Sequence, residues 1–332
     1  MRSDSAGSRA ITRRDAIQLG VGLGIGASLG VSLVPRSAIA QRVAARAADA
    51  SWQGAPLILR TIPSSGEKIP AVGVGTARSY DVTTEADKVP LFDVIRTLPE
   101  LGGKLIDTAP AYGQAEAVVG ELVAKAHNRD NLFLANKVSV RGTDASAGAA
   151  QMAESFRKLQ TEHVDLMQVW NLGGTDVLLP VLREMKASTK IRYIGVTTSS
   201  ERQYAALEAL MRKEPLDFIQ LDYTVDNRAA AERILPLAHD KGIGVLVNLP
   251  FGRGRVFQNV LGKPIPDWAK EFGATSWAQV FLKYIVSNPA VTCVIPGTAT
   301  MGYLQDNQAA GHGALPDEAQ RKRIEAAVST SA

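Results

Sequence analysis

The sequence predicts an α/β fold in which eight parallel strands alternate with helices and close into one barrel. From residue 57 onward, short apolar or β-branched runs alternate with stretches that have helical spacing of apolar residues. The carboxyl ends of six consecutive runs fall near residues 107, 137, 170, 197, 222 and 248. They therefore lie about 25 to 33 residues apart, which is the length of one strand–helix unit. The 332-residue chain is thus predicted to hold one (β/α)8 barrel, the TIM-barrel architecture, and not two domains.

The predicted elements begin with a short hairpin. Leu57–Thr61 and Lys68–Pro70 flank a turn rich in serine and glycine, a pattern typical of two antiparallel strands. We expect this hairpin to cover the amino-terminal end of the barrel. The eight predicted barrel strands are Ala71–Gly75, Lys104–Thr108, Asn131–Val138, Val164–Trp170, Ile191–Thr197, Leu216–Tyr223, Gly244–Leu249 and Val291–Pro296. The predicted helices between them include Gln114–Ala126, Ala147–Leu159, Asp176–Ala187, Glu201–Arg212 and Ala231–Lys241.

An open, doubly wound sheet is the alternative architecture. That fold usually carries Gly-x-Gly-x-x-Gly after its first strand, whereas Gly73-Val74-Gly75-Thr76 lacks the third glycine. The sequence therefore favours the closed barrel. The longer gap before the eighth strand predicts an insertion near Gly252–Trp268.

Composition excludes several classes of protein. Hydrophobic residues make up 45% and charged residues 21% of the chain, which argues against disorder. The single cysteine excludes an intrachain disulfide framework and a four-cysteine zinc site, and we assign no metal ligands. Cys293, inside the eighth predicted strand, is expected to be a core residue. The formal net charge is +4, and most of it comes from arginines in residues 1–40, so we expect no nucleic-acid partner.

Residues 1–40 have the pattern of an export signal. Arg13-Arg14 precede a glycine-rich apolar run, and Ala38-x-Ala40 suits a signal peptidase. Paired arginines are typical of a twin-arginine signal. We predict cleavage after Ala40, a periplasmic or otherwise extracytoplasmic location, the twin-arginine translocase as a partner during export, and a linker over 41–56 before a barrel at 57–332. The alternative is an uncleaved membrane anchor, although the apolar run is barely long enough to span a bilayer.

Three polar residues lie at or just after predicted strand ends, where barrels of this kind place their active sites. Asp107 ends the second strand, Tyr112 follows it, and Lys137 ends the third. A lysine charge beside a phenol is expected to lower the phenol's pKa, and a carboxylate would hold that lysine in place. The trio therefore predicts Tyr112 as a general acid toward a carbonyl oxygen.

The sequence around these residues resembles that of the aldo/keto reductase family. The matching segments are Leu105–Gly113, Leu134–Val138, Val164–Val169, Ile191–Val196, Ile219–Tyr223, Pro250–Gly254 and Val294–Thr298. The resemblance implies a barrel that binds NADP or NAD and transfers hydride between this cofactor and a small aldehyde, ketone or alcohol. It also implies that Asp107, Tyr112 and Lys137 occupy three of the four catalytic positions.

The fourth catalytic position departs from the family pattern. Trp170 stands where the family has a histidine. Its indole can donate one hydrogen bond but cannot titrate, and Asn171, the next residue, can also donate. The alternative is that Trp170 only fills the mouth of the barrel with apolar area.

The resemblance also implies the cofactor-binding positions. They are Thr197, Thr198, Gln220, Asn248, Phe251, Gly252, Arg253, Gly254, Thr298, Asp306 and Asn307. Gln220 is expected to contact the nicotinamide amide, and the backbone N–H groups of 251–254 are expected to face the pyrophosphate. Asn248 replaces a stacking aromatic, while Gly297 and Tyr303 replace the basic residues that hold a 2′-phosphate, so NADP and NAD both stay open.

Two functions follow from these observations. The first is an exported NAD(P)-dependent reductase or alcohol dehydrogenase. The second is a catalytically degenerate barrel of the same fold that serves as a binding or scaffold protein, which the substitutions at Trp170 and Asn248 would favour.

Overall fold

The computed structural model describes Trp52 and residues 54–329. The predicted export signal over 1–40 lies outside these residues, as does most of the predicted linker over 41–56. A hairpin comes first, followed by eight barrel strands and the helices that connect them. The hairpin strands are β1 (Leu59–Thr61) and β2 (Lys68–Pro70), and the barrel strands are β3 (Val74–Gly75), β4 (Leu105–Asp107), β5 (Phe133–Val138), β6 (Val164–Val169), β7 (Ile191–Thr197), β8 (Phe218–Asp222), β9 (Gly244–Asn248) and β10 (Cys293–Val294).

The helices of the described chain alternate with these strands. They are α1 (Glu85–Thr97), α2 (Ala115–Ala126), α3 (Ala145–Leu159), α4 (Thr175–Ala187), α5 (Tyr204–Lys213), α6 (Ala230–Lys241), α7 (Arg255–Gln258), α8 (Trp277–Val286), α9 (Met301–Ala309) and α10 (Glu318–Val328). The predicted helix over Glu201–Arg212 begins as a 3-10 turn at Glu201–Gln203. The predicted insertion contains α7 between two further 3-10 turns. In the part of the chain that is described, no helix combines the length and apolar character needed to cross a bilayer.

The eight barrel strands are parallel and pair in sequence order from β3 to β10. Parallel bridges from Val72 to Val294 and from Gly75 to Gly297 join the two edge strands. The closed (β/α)8 barrel is therefore confirmed, and the open doubly wound sheet is wrong. β3 and β10 are shorter than predicted because they meet only through isolated bridges at this seam.

The hairpin closes the amino-terminal end of the barrel, as predicted. Ile62 and Ile69 are fully buried in the same interior cluster as Phe133 and Phe218 from the barrel strands. Cys293 belongs to this cluster, which confirms it as a core residue, and burial raises the pKa of its thiol. Since this end of the barrel is filled by side chains, space for a ligand is left at the other end.

A second apolar layer holds the helices against the outside of the barrel. In α4, Leu178, Leu179 and Leu182 recur at helical spacing, and all three are buried in the cluster between strands and helices. Asp144 caps α3 by accepting hydrogen bonds from the backbone N–H groups of Ser146 and Ala147. The segments between consecutive strands return the chain to the amino-terminal end, so the parallel strands all place their last residues at the same face.

Candidate functional site

A cavity of about 570 Å³ opens at the carboxyl ends of the barrel strands. Its walls come from residues at the ends of β3, β4, β6, β7, β8, β9 and β10 and from the segments that follow them, which is the face where the sequence places the site. The predicted site residues that line the cavity are Asp107, Tyr112, Trp170, Thr197, Gln220, Asn248, Phe251, Arg253 and Gly254. Lys137, Thr198, Gly252, Thr298, Asp306 and Asn307 lie outside its lining.

A buried ion pair reaches this cavity through Asp107, which lines it, while its partner Lys137 lies behind the wall. Lys137 near the end of β5 donates from Nζ to Asp107 Oδ2 at 2.6 Å and to the Thr108 carbonyl at 2.9 Å. The exposed fractions are 1% for Lys137 and 3% for Asp107. Burial alone lowers the pKa of Lys137, but the charge of Asp107 and the neighbouring Tyr112 outweigh burial and raise it. The lysine is therefore held as a cation.

Tyr112 lies above this pair, and the Lys137 Nζ is 5.0 Å from the centroid of its ring. Burial raises the pKa of the Tyr112 phenol, and the charge of Lys137 opposes that rise without reversing it. The expectation of a lowered phenol pKa is therefore wrong in direction, because removing the phenolate from water costs more than the lysine charge returns. The phenol stays protonated at neutral pH and is available as a proton donor.

Two glutamines fix the other oxygen of Asp107. Gln220 Nε2 donates to Asp107 Oδ1 at 2.8 Å, and Gln168 Nε2 lies 3.5 Å from the same oxygen. Gln168 is fully buried in β6, and it is not among the predicted site residues. The signal that could have identified Gln168 is a polar residue within an otherwise apolar barrel strand, since a buried polar group needs a hydrogen-bond partner.

Gln220 is shared between this network and the cavity. Its Oε1 lies 3.4 Å from Asn248 Nδ2, which also donates to the Thr198 carbonyl at 3.0 Å. With one N–H on Asp107, Gln220 keeps a second N–H and one lone pair for a ligand. The predicted contact with a nicotinamide amide therefore has only these remaining groups available.

Trp170 begins a 3-10 turn, Trp170–Leu172, directly after β6. The predicted strand thus ends one residue earlier than expected. Trp170 lines the main cavity and also a second cavity of about 150 Å³, whose walls include Lys137, Ser139 and Gln151. The same indole therefore bounds both cavities.

Thr197 and Thr198 are engaged in hydrogen bonds within the protein. Thr197 Oγ1 accepts from the backbone N–H of Asn171 at 3.0 Å, and Thr198 Oγ1 donates to Gln203 Oε1 at 2.6 Å. Thr198 is fully buried. Thr197 reaches the cavity, whereas Thr198 connects the loops that surround it.

The glycine-rich loop after β9 is a tight turn with left-handed residues. Arg253 has φ +59° and Gly254 has φ +95°, and a Cβ on Gly254 would meet nothing within 4 Å. Gly252 N–H donates to the Leu249 carbonyl and Gly254 N–H to the Phe251 carbonyl, both at 2.8 Å. These two glycine N–H groups therefore form hydrogen bonds inside the turn, and the contact of the loop with a pyrophosphate stays a prediction.

The three predicted cofactor residues after β10 form hydrogen bonds away from the cavity. Asn307 Nδ2 donates to Thr298 Oγ1 at 3.1 Å, and both residues are buried. Asp306 accepts from Ser276 Oγ at 2.9 Å and from Gln279 Nε2 at 2.8 Å. Their contacts with a cofactor stay a prediction. Within the described residues, no cluster of three or more His, Cys, Asp or Glu side chains has the arrangement of a metal site.

Comparison with known proteins shows which family the chain matches. The model of the aldo/keto reductase family matches residues 71–328. The chain is similar to the aldo-keto reductase YhdN of Bacillus subtilis, with 32% identity over 212 residues that cover 58% of this chain and 62% of the relative. The chain thus aligns with less than two thirds of that relative's length.

Two solved structures show the same fold. A thermostable aldo-keto reductase, Tm1743, in complex with the inhibitor epalrestat superposes with a TM-score of 0.68 at 23% identity, covering 82% of this chain and 100% of its own. An aldo-keto reductase from Klebsiella pneumoniae in complex with NADPH superposes with a TM-score of 0.67 at 22% identity, covering 81% and 95%.

Proposed function

Because this chain belongs to the aldo/keto reductase family, we propose that it is an NAD(P)-dependent oxidoreductase that reduces an aldehyde or ketone, with Tyr112 as its general acid. The observation that carries the proposal is the buried Asp107–Lys137 pair next to Tyr112, with Asp107 and Tyr112 both lining the cavity. The reverse reaction would oxidise the corresponding alcohol with the same residues.

The chain's own residues supply the acid chemistry. Tyr112 donates its phenolic proton to the carbonyl oxygen, and the adjacent Lys137 cation stabilises the phenolate that results. Asp107 keeps Lys137 charged and in place, and Gln220 and Gln168 fix the orientation of Asp107. When bound, the nicotinamide dinucleotide supplies the hydride.

The residues present fit such a cofactor in part. Asn248 Oδ1 is buried and has no hydrogen-bond partner, so it can accept from the carboxamide of a nicotinamide. Gln220 retains a donor and an acceptor beside it, and Arg253 offers a cation with no ion-pair partner in the described chain. The NADPH in the Klebsiella neighbour supports a nicotinamide cofactor, and the choice between NADP and NAD is left to titration.

Export is part of the proposal and rests on the Arg13-Arg14 pair and the Ala38-x-Ala40 site. The twin-arginine route carries folded proteins, so the barrel would cross the membrane with its cavity already formed. The alternative is that the signal stays uncleaved and anchors the protein in the membrane.

The test of the proposed reaction is Tyr112→Phe, which keeps the ring and removes only the donor. Reduction of a panel of aldehydes and ketones should slow by about 10²–10⁴-fold, while binding of NADH and NADPH, followed by intrinsic Trp fluorescence, should be unchanged. The matched control is Tyr80→Phe. The Tyr80 hydroxyl is buried without a partner and is not part of the cavity wall, so its loss should leave turnover as it is. Equal rates for wild type and Tyr112→Phe would reject Tyr112 as the acid.

A binding or scaffold role is the second candidate, and the Trp170 indole at the fourth catalytic position favours it. In that case the purified protein would turn over no carbonyl compound in the presence of a saturating dinucleotide. Measured turnover that depends on Tyr112 would exclude this role.

A further inference from the structure

The turn after β6 holds two residues in an uncommon backbone conformation beside the cavity. Asn171 has φ +50° and Leu172 has φ +57°. Side-chain-bearing residues seldom adopt left-handed values, although asparagine does so more readily than most. Such conformations persist only where the surroundings enforce them, and they are concentrated at functional sites.

The surroundings of Asn171 enforce its backbone from two sides. Its N–H donates to Thr197 Oγ1 at 3.0 Å, and its carbonyl accepts from Gln203 Nε2 at 2.9 Å. Gln203 is itself fixed, because its Oε1 accepts from Thr198 Oγ1 at 2.6 Å. Both peptide groups of Asn171 are thus tied to the segment that follows β7.

The side chain of Asn171, unlike its backbone, has no hydrogen bond to the described residues. The residue is half-buried and lines the same cavity as Tyr112 and Asp107. No described residue hydrogen-bonds its carboxamide. The side-chain amides of Asn248 and Gln220 each already donate one hydrogen bond within the protein, to the Thr198 carbonyl and to Asp107. Asn171 therefore has a side-chain amide donor that is free to bind a ligand in the cavity, on a backbone held by two hydrogen bonds.

We propose that the Asn171 carboxamide is a catalytic residue that donates a hydrogen bond to the substrate's carbonyl oxygen, with Gln203 as its positioning residue. The inference rests on the proposed carbonyl reduction. An amide N–H aimed at the oxygen stabilises the negative charge that develops there as hydride arrives at carbon and before the proton of Tyr112 is transferred. Unlike an imidazole, this donor does not titrate, so the donor itself adds no pH dependence near neutrality.

Two substitutions test whether Asn171 acts through its side-chain donor or is needed only because asparagine tolerates a left-handed backbone. Asn171→Gly retains the conformation and removes the donor. Asn171→Asp retains size and shape but presents an anion at neutral pH. We expect each to lower kcat for aldehyde reduction by about 10²–10³-fold, with dinucleotide affinity unchanged. The Asp variant should regain rate as pH falls toward about 4, because a protonated carboxyl can donate, a response that a purely structural role would not produce.

The matched control is Gln160→Gly, since Gln160 ends α3 with φ +51° and lies outside the cavity wall. Its turnover should equal that of wild type. Gln203→Glu keeps an acceptor for Thr198 and loses the N–H to Asn171, so it should lower kcat with little change in dinucleotide affinity.

The outcomes distinguish this inference from the proposed function. Wild-type kcat in both Asn171 variants, together with a large loss in Tyr112→Phe, would overturn the role of Asn171 and leave the reductase intact. A wild-type protein that binds dinucleotide but reduces no carbonyl would overturn the reductase and this role with it. If Asn171→Gly fails to fold, the isosteric Asp variant and its pH profile decide the question.

Discussion

Asp107→Asn is expected to destabilise the barrel strongly. The substitution replaces a carboxylate that accepts from Lys137 at 2.6 Å and from Gln220 at 2.8 Å with an amide that must turn its NH₂ toward one of these donors. Lys137, only 1% exposed, would lose its counter-charge and keep only neutral acceptors such as the Thr108 carbonyl. Leaving one partner of a buried ion pair alone costs about 3–5 kcal/mol of unfolding free energy.

The size of this loss can be checked by denaturation. For a domain of this length, about 1 kcal/mol shifts Tm by roughly 2–4 °C, so Asp107→Asn should lower Tm by roughly 6–20 °C. Asp107→Asn combined with Lys137→Met removes both charges and should be more stable than Asp107→Asn alone, with a coupling of about 1–3 kcal/mol. Urea titrations of the wild type, both single variants and the double variant complete the cycle.

The matched control is the exposed pair Asp267–Lys270 on the surface. Asp267→Asn should leave the unfolding free energy nearly unchanged, because water and salt screen an exposed ion pair. A similarly small change for Asp107→Asn, or additive effects in the cycle, would refute the account of a tightly coupled buried pair.

Three further predictions concern other parts of the chain. Trp170→His should join the cavities of about 570 and 150 Å³ that the indole bounds and raise turnover of a small aldehyde; unchanged or lower turnover by the variant would contradict this. Lys283, whose Nζ donates to the His312 and Ala314 carbonyls, has its pKa lowered by burial to about 8. The native state therefore loses this proton at a lower pH than the unfolded state does. As the pH rises from about 8 to 10.5, the unfolding free energy of the wild type should increase relative to that of Lys283→Met. If urea titrations give the same difference between the two proteins at pH 7 and at pH 10, the prediction is wrong. Arg13→Lys with Arg14→Lys should trap precursor inside the cell, and the wild-type mature protein should begin near Gln41 by N-terminal sequencing; intact N-termini outside the cytoplasm would instead indicate the anchor.

The positions of Asp107, Tyr112 and Lys137 along the chain were sufficient to predict that these three residues lie close together. Asp107 and Lys137 lie at the ends of neighbouring parallel strands, and parallel strands deliver their carboxyl ends to one face. The spacing of strand ends likewise predicted the barrel, because each strand and its return helix need a nearly constant length of chain. These features depend on local pattern and on chain direction, both of which are written in the sequence.

Other properties depended on what each side chain meets in space. The pKa of Tyr112 rises because burial outweighs the charge of Lys137, and a sum of opposing terms cannot be judged from the identity of the neighbours alone. Gln168, more than 50 residues from Asp107 in sequence, contacts it because β6 faces the same interior. The glycine N–H groups of the loop after β9 are used within their own turn, which depends on backbone angles.

Asn171 shows the same division most clearly. The sequence places an asparagine after the sixth strand and allows it to donate, but its left-handed backbone and its two hydrogen bonds to the segment after β7 exist only once β6 and β7 are paired. Sequence determined the strand order and the residues at each strand end. Tertiary structure decided which donors and acceptors are already engaged, because hydrogen bonds saturate and each depends on partners that are distant along the chain.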